Sequence, residues 1–454
     1  MVNLDNFFKP QRIVIIGVSR DSHKVGHVLF ANLLESNYSG KVFIVNKNAE
    51  EIRGHVSYPS VLDVPELPDL AIVAVPASSV LEVVTQCGKK GIKDLLIVTS
   101  GFGEIGNTKL EEQLKTLIQK NKMRMIGPNC LGIFDGHSGM DALFLPRSRL
   151  KRPKGGGISL VCQSGAVGSA LLDLATRRGH RFAKFISYGN ATSLDETDII
   201  EYLSHDSSTK VICLYVEAVK DGKKFLQIMK NVTTRKPVIA IKGGITEEGS
   251  KAALSHTGSL AGDAAVYFGV FKQTGVIYAE FLHDLLNYAS IFEHSLPPKG
   301  NRVQIITNGG GYGILSTDAI SLTKNLRLAT FSKKTYTILK KKFPPLLSLA
   351  NPLDLVGDAT TERYQIALDA CMNDKSIDII LLIALYQTPL VTPDLVDVIT
   401  NAYLLKKKPL IVVSTGGAFT EHLIATLEQH GVVTFIFPEE AVRALSAFVS
   451  YYLH

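Results

Sequence analysis

Short apolar runs alternate with helical patterns along the whole chain. Between residues 10 and 145 the runs are Arg12–Ile16, Lys41–Val45, Leu70–Val75, Asp94–Val98 and Arg124–Ile126. They are continuous in Val, Ile and Leu, as in strands covered on both faces. Strands separated by helical patterns predict a parallel sheet with crossover helices. Each run ends in a polar or glycine-rich turn: Gly17-Val18-Ser19-Arg20, Asn46-Lys47, Pro76-Ala77-Ser78, Thr99-Ser100-Gly101-Phe102 and Gly127-Pro128-Asn129-Cys130. In a doubly wound sheet such turns gather at one edge, where ligands bind.

A second alternation begins after Lys151-Arg152-Pro153-Lys154-Gly155-Gly156-Gly157, which reads as a domain boundary. Strand Ile158–Cys162 runs into Gln163-Ser164-Gly165-Ala166-Val167-Gly168 and a helix to about Arg177. Strand Val211–Val216 ends in Glu217, and Pro237–Ile241 ends in Lys242-Gly243-Gly244. Past a second boundary at Pro297–Gly300 the pattern repeats. Arg302–Thr307 and its glycine turn match Ile158–Gly168 at an offset of 303 − 158 = 145. The later proline strands are offset by 409 − 237 = 172, but the glycine-led strands after them by 431 − 275 = 156. The first copy therefore carries 172 − 156 = 16 residues that the second lacks, between Gly244 and Gly275. The expected architecture is α/β: a Rossmann-like domain over 1–150, then two duplicated flavodoxin-like open parallel-sheet domains over 151–296 and 297–454.

Composition narrows the classes. At about 150 residues per domain, the length also suggests three domains. The five cysteines are scattered, odd in number and without a CxxC pair, which points to a reducing cytosol and away from a disulfide framework or zinc site. No signal-peptide pattern precedes Arg12, and no apolar run approaches the roughly 20 residues that span a bilayer. A net charge of +7 without a basic stripe suits anionic small molecules and argues against nucleic acid and membrane partners.

The first domain discriminates between dinucleotides. An NAD site wants GxGxxG after the first strand and an acid after the second. Here Ser19 and Ser22 stand where the later glycines should be, and the second strand ends in Asn46-Lys47. Arg20, Lys24 and Lys47 near a helix start suit a ligand with several phosphates, so coenzyme A fits better than NAD. An NAD-linked oxidoreductase and a non-catalytic CoA-binding regulator remain the alternatives.

The extra residues of the first copy contain one imidazole, His256, inside the small-residue segment Gly243–Gly262. A fold that closes without an insertion does not need it for its core, and loops carry function. Glu217 can accept a hydrogen bond from one ring nitrogen and raise the nucleophilicity of the other. The helix start at Gln163, Ser164, Gly165 and Ala166 can hold a phosphoryl group. Together they describe a histidine that is phosphorylated and dephosphorylated. No second histidine or cysteine lies at metal-ligand spacing from His256, so no metal is expected on this chain.

Gly127-Pro128-Asn129-Cys130-Leu131-Gly132, Gln163–Gly168 and Ser255-His256-Thr257-Gly258-Ser259, in this order behind a CoA-type Rossmann domain, resemble the NDP-forming acyl-CoA synthetases, relatives of succinyl-CoA synthetase. Within them the pattern is most similar to the α subunit of the ADP-forming acetate–CoA ligases. The resemblance implies a route from acyl-CoA and phosphate through acyl phosphate and phospho-His256 to ATP, with acetate as the default acid. It implies that Glu217 orients His256 and that Ser164, Gly165 and Ala166 hold the phosphoryl group. It places CoA against Gly17, Ser19, Arg20, Lys24, Asn46, Pro76, Ser100, Gly101 and Phe102, and the thioester beside Asn129 and Cys130. No ATP-grasp pattern follows the third domain, so a separate ATP-grasp β subunit, an α2β2 assembly, and Mg2+ with ADP or ATP on that partner are implied.

Overall fold

The computed structural model describes residues 2–257 and 262–453, with only the backbone described at 254–257. Three largely parallel sheets are seen among the described residues. The first runs in the order Glu51–Ile52, His55–Tyr58, Lys41–Val45, Arg12–Ile16, Leu70–Val73, Asp94–Ile97, Arg124–Ile126. Arg12–Ile16 pairs in parallel with Lys41–Val45 on one side and Leu70–Val73 on the other. The winding reverses there, opening a crevice at the carboxyl edge. Leu70–Val73 and Asp94–Ile97 are buried throughout, which explains their apolar sequence apart from Asp94, whose carboxylate pairs with Arg124.

The second sheet reads Ile277–Tyr278, Val238–Lys242, Val211–Val216, Gly155–Cys162, Phe182–Ser187, Gly132–Asp135, Asp141–Leu143. The third reads, from the equivalent edge, Val433–Phe435, Leu410–Val413, Ile379–Ile383, Arg302–Thr307, Arg327–Leu328, with Leu353–Asp354 also on Arg302–Thr307. Matched strands follow in the same succession, as a duplication requires. Between strand Val238–Lys242 and helix Ala264–Thr274 lie 264 − 242 − 1 = 21 residues; between Leu410–Val413 and Ala418–Gln429 lie 418 − 413 − 1 = 4.

That longer connection contains a helix, Glu247–Thr257, where the small residues suggested a loop. Glu247 and Glu248 sit in its first turn, where acids favour the helix dipole. Thr246 Oγ1 accepts from the Gly249 N–H at 3.0 Å, satisfying an otherwise orphaned donor. His256 falls in the last turn; its side chain and residues 258–261 lie outside the described residues.

Gly132–Asp135 and Asp141–Leu143 precede residue 150 yet join the second sheet, Gly132–Asp135 pairing antiparallel to Phe182–Ser187. The chain divides into compact units Met1–Glu280 and Phe281–His454, and helix Leu282–His294 packs within the second. Its Phe292 meets Phe448 of helix Pro438–Leu453 edge-on at 5.0 Å between ring centres. Among the described residues no helix is long and apolar enough to cross a membrane.

Candidate functional site

The carboxyl edge of the first sheet is shaped by close backbone approaches. Gly17 has φ +99°, and a Cβ there would lie 2.5 Å from the Ala74 oxygen. Gly26, in helix Val25–Glu35, meets the Gly17 oxygen so closely that an added Cβ would stand 2.1 Å from it. Gly26 thus seats the helix on the first turn, the role a fingerprint glycine serves in a dinucleotide site. It lies outside the GxGxxG spacing because a turn through Asp21–Lys24 delays the helix start. Lys24 precedes that helix, whose first turn has no side-chain cap. Its amides therefore remain suited to an anion.

The expected CoA residues divide by what their polar groups already do. Arg20 and Lys24 are exposed, and the Arg20 guanidinium lies 3.3 Å from the Glu51 carbonyl. Ser19 Oγ accepts from the Asp21 N–H at 3.1 Å. The Asn46 amide donates to the Val18 carbonyl, so it holds the first turn from behind. Pro76 precedes helix Ala77–Lys90 and is exposed, as is Ser100. Gly101, at φ +112°, comes so close to Ala77 that a Cβ would stand 3.1 Å from that side chain.

Two of the expected contact residues have buried side chains. Phe102 is fully buried in the apolar core, and its N–H donates to Glu104, so neither group faces the edge. Cys130 is also buried: its thiol lies 3.4 Å from the Ile97 oxygen, and burial pushes it up to about 12. The turn around it still projects Asn129, held at φ +57° and partly exposed, with its Nδ2 3.2 Å from Asn190 Oδ1. Sequence alone cannot tell which side of a tight turn faces the core.

The second sheet assembles the phosphoryl candidates. Ser164 caps helix Gly165–Arg177, its Oγ accepting from the Val167 N–H at 3.3 Å. This leaves the Gly165 and Ala166 amides at the open first turn. The Gln163 Oε1 is already engaged: it accepts from the Glu217 N–H at 2.7 Å and the Ala218 N–H at 3.1 Å. It therefore ties the end of strand Val211–Val216 to the helix start. Glu217 is 5% exposed, and its Oε2 is buried with no partner among the described residues. Such a carboxylate oxygen is costly unless something donates to it. Gly243 lies against this group; a Cβ would be 2.8 Å from Tyr215 Oη and 3.4 Å from Glu217 Cγ.

Two ionisable neighbours were not anticipated. Lys242 is buried, its Nζ donating to the Glu217 carbonyl at 2.8 Å and lying 4.6 Å from the centre of the Tyr267 ring. Burial lowers its ammonium to about 8, against the attraction of Glu217. Glu196, also buried, is raised to about 7 by desolvation and then by Asp195. Lys242 ends strand Val238–Lys242 and Glu196 opens helix Glu196–His205, but only packing reveals their burial. Among the described residues no group of three or more His, Cys, Asp or Glu is gathered to hold a metal.

Comparison with known proteins matches this layout domain by domain. Family models describe residues 11–135 as a CoA binding domain, 155–292 as a succinyl-CoA ligase like flavodoxin domain, and 303–451 as a Ligase-CoA domain. The α subunit of ADP-forming acetate–CoA ligase II of Pyrococcus furiosus is 38% identical, over 98% of this chain and 97% of that one. An ADP-forming acetate–CoA ligase of Methanocaldococcus jannaschii is 39% identical over 98% of this chain and 62% of that longer protein. The dinucleotide-forming acetyl-coenzyme A synthetase 1 of Ca. Korarchaeum cryptofilum, solved with phosphate and ADP, superposes with a TM-score of 0.93 at 34% identity, over 99% of this chain and 97% of that one. With near-complete coverage of an α subunit and of its fold, the chain belongs to the family of ADP-forming acetate–CoA ligases.

Proposed function

We propose that the chain is the acyl-CoA-handling and phosphoryl-carrying subunit of an ADP-forming acetate–CoA ligase, with His256 as the carrier. The observation that carries this reading is the buried Glu217 carboxyl beside the Tyr215 hydroxyl, whose Oε2 has no partner at hydrogen-bond distance among the described residues, at the mouth of a connection that the sister domain makes 17 residues shorter (21 − 4 = 17). An imidazole N–H is the donor that oxygen calls for, and accepting it raises the nucleophilicity of the other ring nitrogen.

A phosphate oxygen attacks the thioester carbonyl, the C–S bond breaks, and CoA leaves as a thiol after protonation. The His256 nitrogen then attacks the phosphorus of the acyl phosphate; the P–O bond to the acyl group breaks and the carboxylate departs. Phospho-His256 gives its phosphoryl group to ADP, forming ATP and restoring the ring. In the first step CoA is held at Gly17, Ser19, Arg20, Lys24, Pro76, Ser100 and the Gly101 backbone, with Asn46 shaping the turn and Asn129 beside the thioester. The Ser164-capped helix start offers the Gly165 and Ala166 amides to the phosphoryl oxygens. Relatives named as α subunits support a partner. We assign it an ATP-grasp fold with nucleotide and Mg2+, in an α2β2 assembly within the cytoplasm.

The test is labelling. With the partner subunit, magnesium and ATP labelled at the γ-phosphate, the chain should acquire acid-labile phosphate that acetate and CoA discharge. His256→Ala should abolish the label, and Glu217→Gln should slow its appearance roughly 10- to 100-fold. Label that survives His256→Ala refutes the assignment.

A further inference from the structure

The turn that presents Asn129 and the turn at Gly101 are held by one side chain that no motif marks, Asn190. Its Nδ2 donates to Glu104 Oε2 at 2.7 Å and to Glu111 Oε2 at 3.0 Å. Its Oδ1 lies 3.2 Å from Asn129 Nδ2. Its N–H donates to the Pro128 carbonyl at 3.0 Å, and its own carbonyl accepts from Lys220 Nζ at 2.6 Å. Both protons and the oxygen of the amide are thus engaged, as are both backbone groups.

The two carboxylates fasten the next layer. Glu104 accepts from the N–H groups of Gly101 and Phe102. Desolvation pushes its carboxyl up, but the Gly101 N–H and the Asn190 amide outweigh it and hold the group below its usual range. Glu111 accepts from the Gly103 N–H at 2.8 Å and from Thr192 Oγ1 at 2.6 Å. The backbones are committed to this arrangement: φ is +112° at Gly101, +57° at Asn129, +57° at Gly189 and +51° at Ala191. An added Cβ at Gly189 would stand 2.2 Å from the Pro128 oxygen. Asn190 therefore sets the Asn129 turn of the first domain and the CoA-facing turn at Gly101 in one frame, using a loop of the second domain as the jig.

We infer that Asn190 is a positioning residue for the acyl-transfer step, aligning the thioester beside Asn129 with the CoA bound at the Gly101 turn. This rests on the CoA reading given above. The amide is needed rather than any polar group of that size. It must donate to two carboxylates and accept from another amide at once, and only Asn or Gln can do both. The charged groups facing position 190 are Glu104, Glu111 and Lys220.

The two half-reactions of the whole complex separate the outcomes. Asn190→Ala and Asn190→Asp are each mixed with the partner subunit. Phosphorylation of the chain from labelled ATP is then read beside the conversion of acetyl-CoA and phosphate. Both variants should lose roughly 10- to 100-fold in the acetyl-CoA half-reaction, mainly in kcat, while the ATP half-reaction keeps its wild-type rate. The defect of Asn190→Asp should be larger at pH 8 than at pH 6. A third carboxylate beside Glu104 and Glu111 repels them when ionised and can donate when protonated. The defect of Asn190→Ala should not change with pH. Wild-type acetyl-CoA turnover in either variant, equal loss of both half-reactions, or an Asn190→Asp defect without pH dependence overturns the inference. Failure of the wild-type chain to take label on His256 would instead overturn the underlying reading.

Discussion

Gly26→Ala is the sharpest test of how the first turn is built. The new Cβ would stand 2.1 Å from the Gly17 oxygen, 2.7 Å from the Gly17 carbonyl carbon and 3.0 Å from the Val18 Cα. All three are backbone atoms, so no rotamer change relieves the clash. Non-bonded carbon contacts settle near 3.5 Å, so helix Val25–Glu35 must retreat by about 1 Å or the turn must give way. Forcing volume into a packed site costs about 1–3 kcal/mol, and a backbone-only clash belongs at or above the upper end. A cost of about 3 kcal/mol shifts the folded-to-unfolded ratio roughly 100-fold. A displacement of that size at the Gly17 turn should also weaken CoA binding roughly 10- to 100-fold. Gly222→Ala is the control: it opens helix Gly222–Val232, and an added Cβ there has nothing within 4 Å. Calorimetric titration with CoA and thermal unfolding of both variants decide the matter. If Gly26→Ala binds CoA within twofold of wild type at an unchanged melting temperature, the proposed seating of the helix on the turn is wrong.

Burial raises the Glu196 carboxyl from 4.5 to about 7, so between those values the native chain holds a proton that the unfolded chain has released. Stability must then fall as pH rises through this window, by at most about 3 kcal/mol. Glu196→Gln should flatten the dependence, matching wild type at pH 4.5 and exceeding it at pH 8 in urea unfolding; parallel curves would contradict the assignment. All five cysteines are buried, and burial pushes Cys87 and Cys130 up to about 12. A thiol reagent at pH 7.5 should leave the native chain unmodified and titrate five groups after denaturation. Rapid modification blocked by CoA would return Cys130 to the thioester site.

Much of this was legible because periodicity and spacing survive without coordinates. Arg12–Ile16, Lys41–Val45, Val211–Val216 and Arg302–Thr307 form strands where the apolar runs place them, since the covered positions of such strands must be apolar. Unequal offsets between the copies located an insertion of 16, and the two connections differ by 17 (21 − 4 = 17). What periodicity does not carry is orientation. Phe102 and Cys130 occupy ligand-edge turns but point inward, and nothing in Ser-Gly-Phe or Pro-Asn-Cys says so. The Glu247–Thr257 helix was hidden by flanking glycines, although Thr246, the two glutamates and Ala252-Ala253 favour it. Asn190 was invisible for a different reason. Its partners lie 61, 79 and 86 residues away, and a lone asparagine has no local signature.

The hairpin of Gly132–Asp135 and Asp141–Leu143 crosses from one domain to complete the sheet of the next. A fragment ended at residue 150 would keep two strands whose neighbour has been left behind. Its complement, begun at 151, would show Phe182–Ser187 to solvent as a raw, apolar rim, with every residue of that strand normally covered. Unpaired rims of this kind recruit strands from other molecules. Severing the chain where its composition changes would thus turn its two parts into a self-adhesive pair, whereas a cut placed before Gly132 would leave the second sheet its own selvedge.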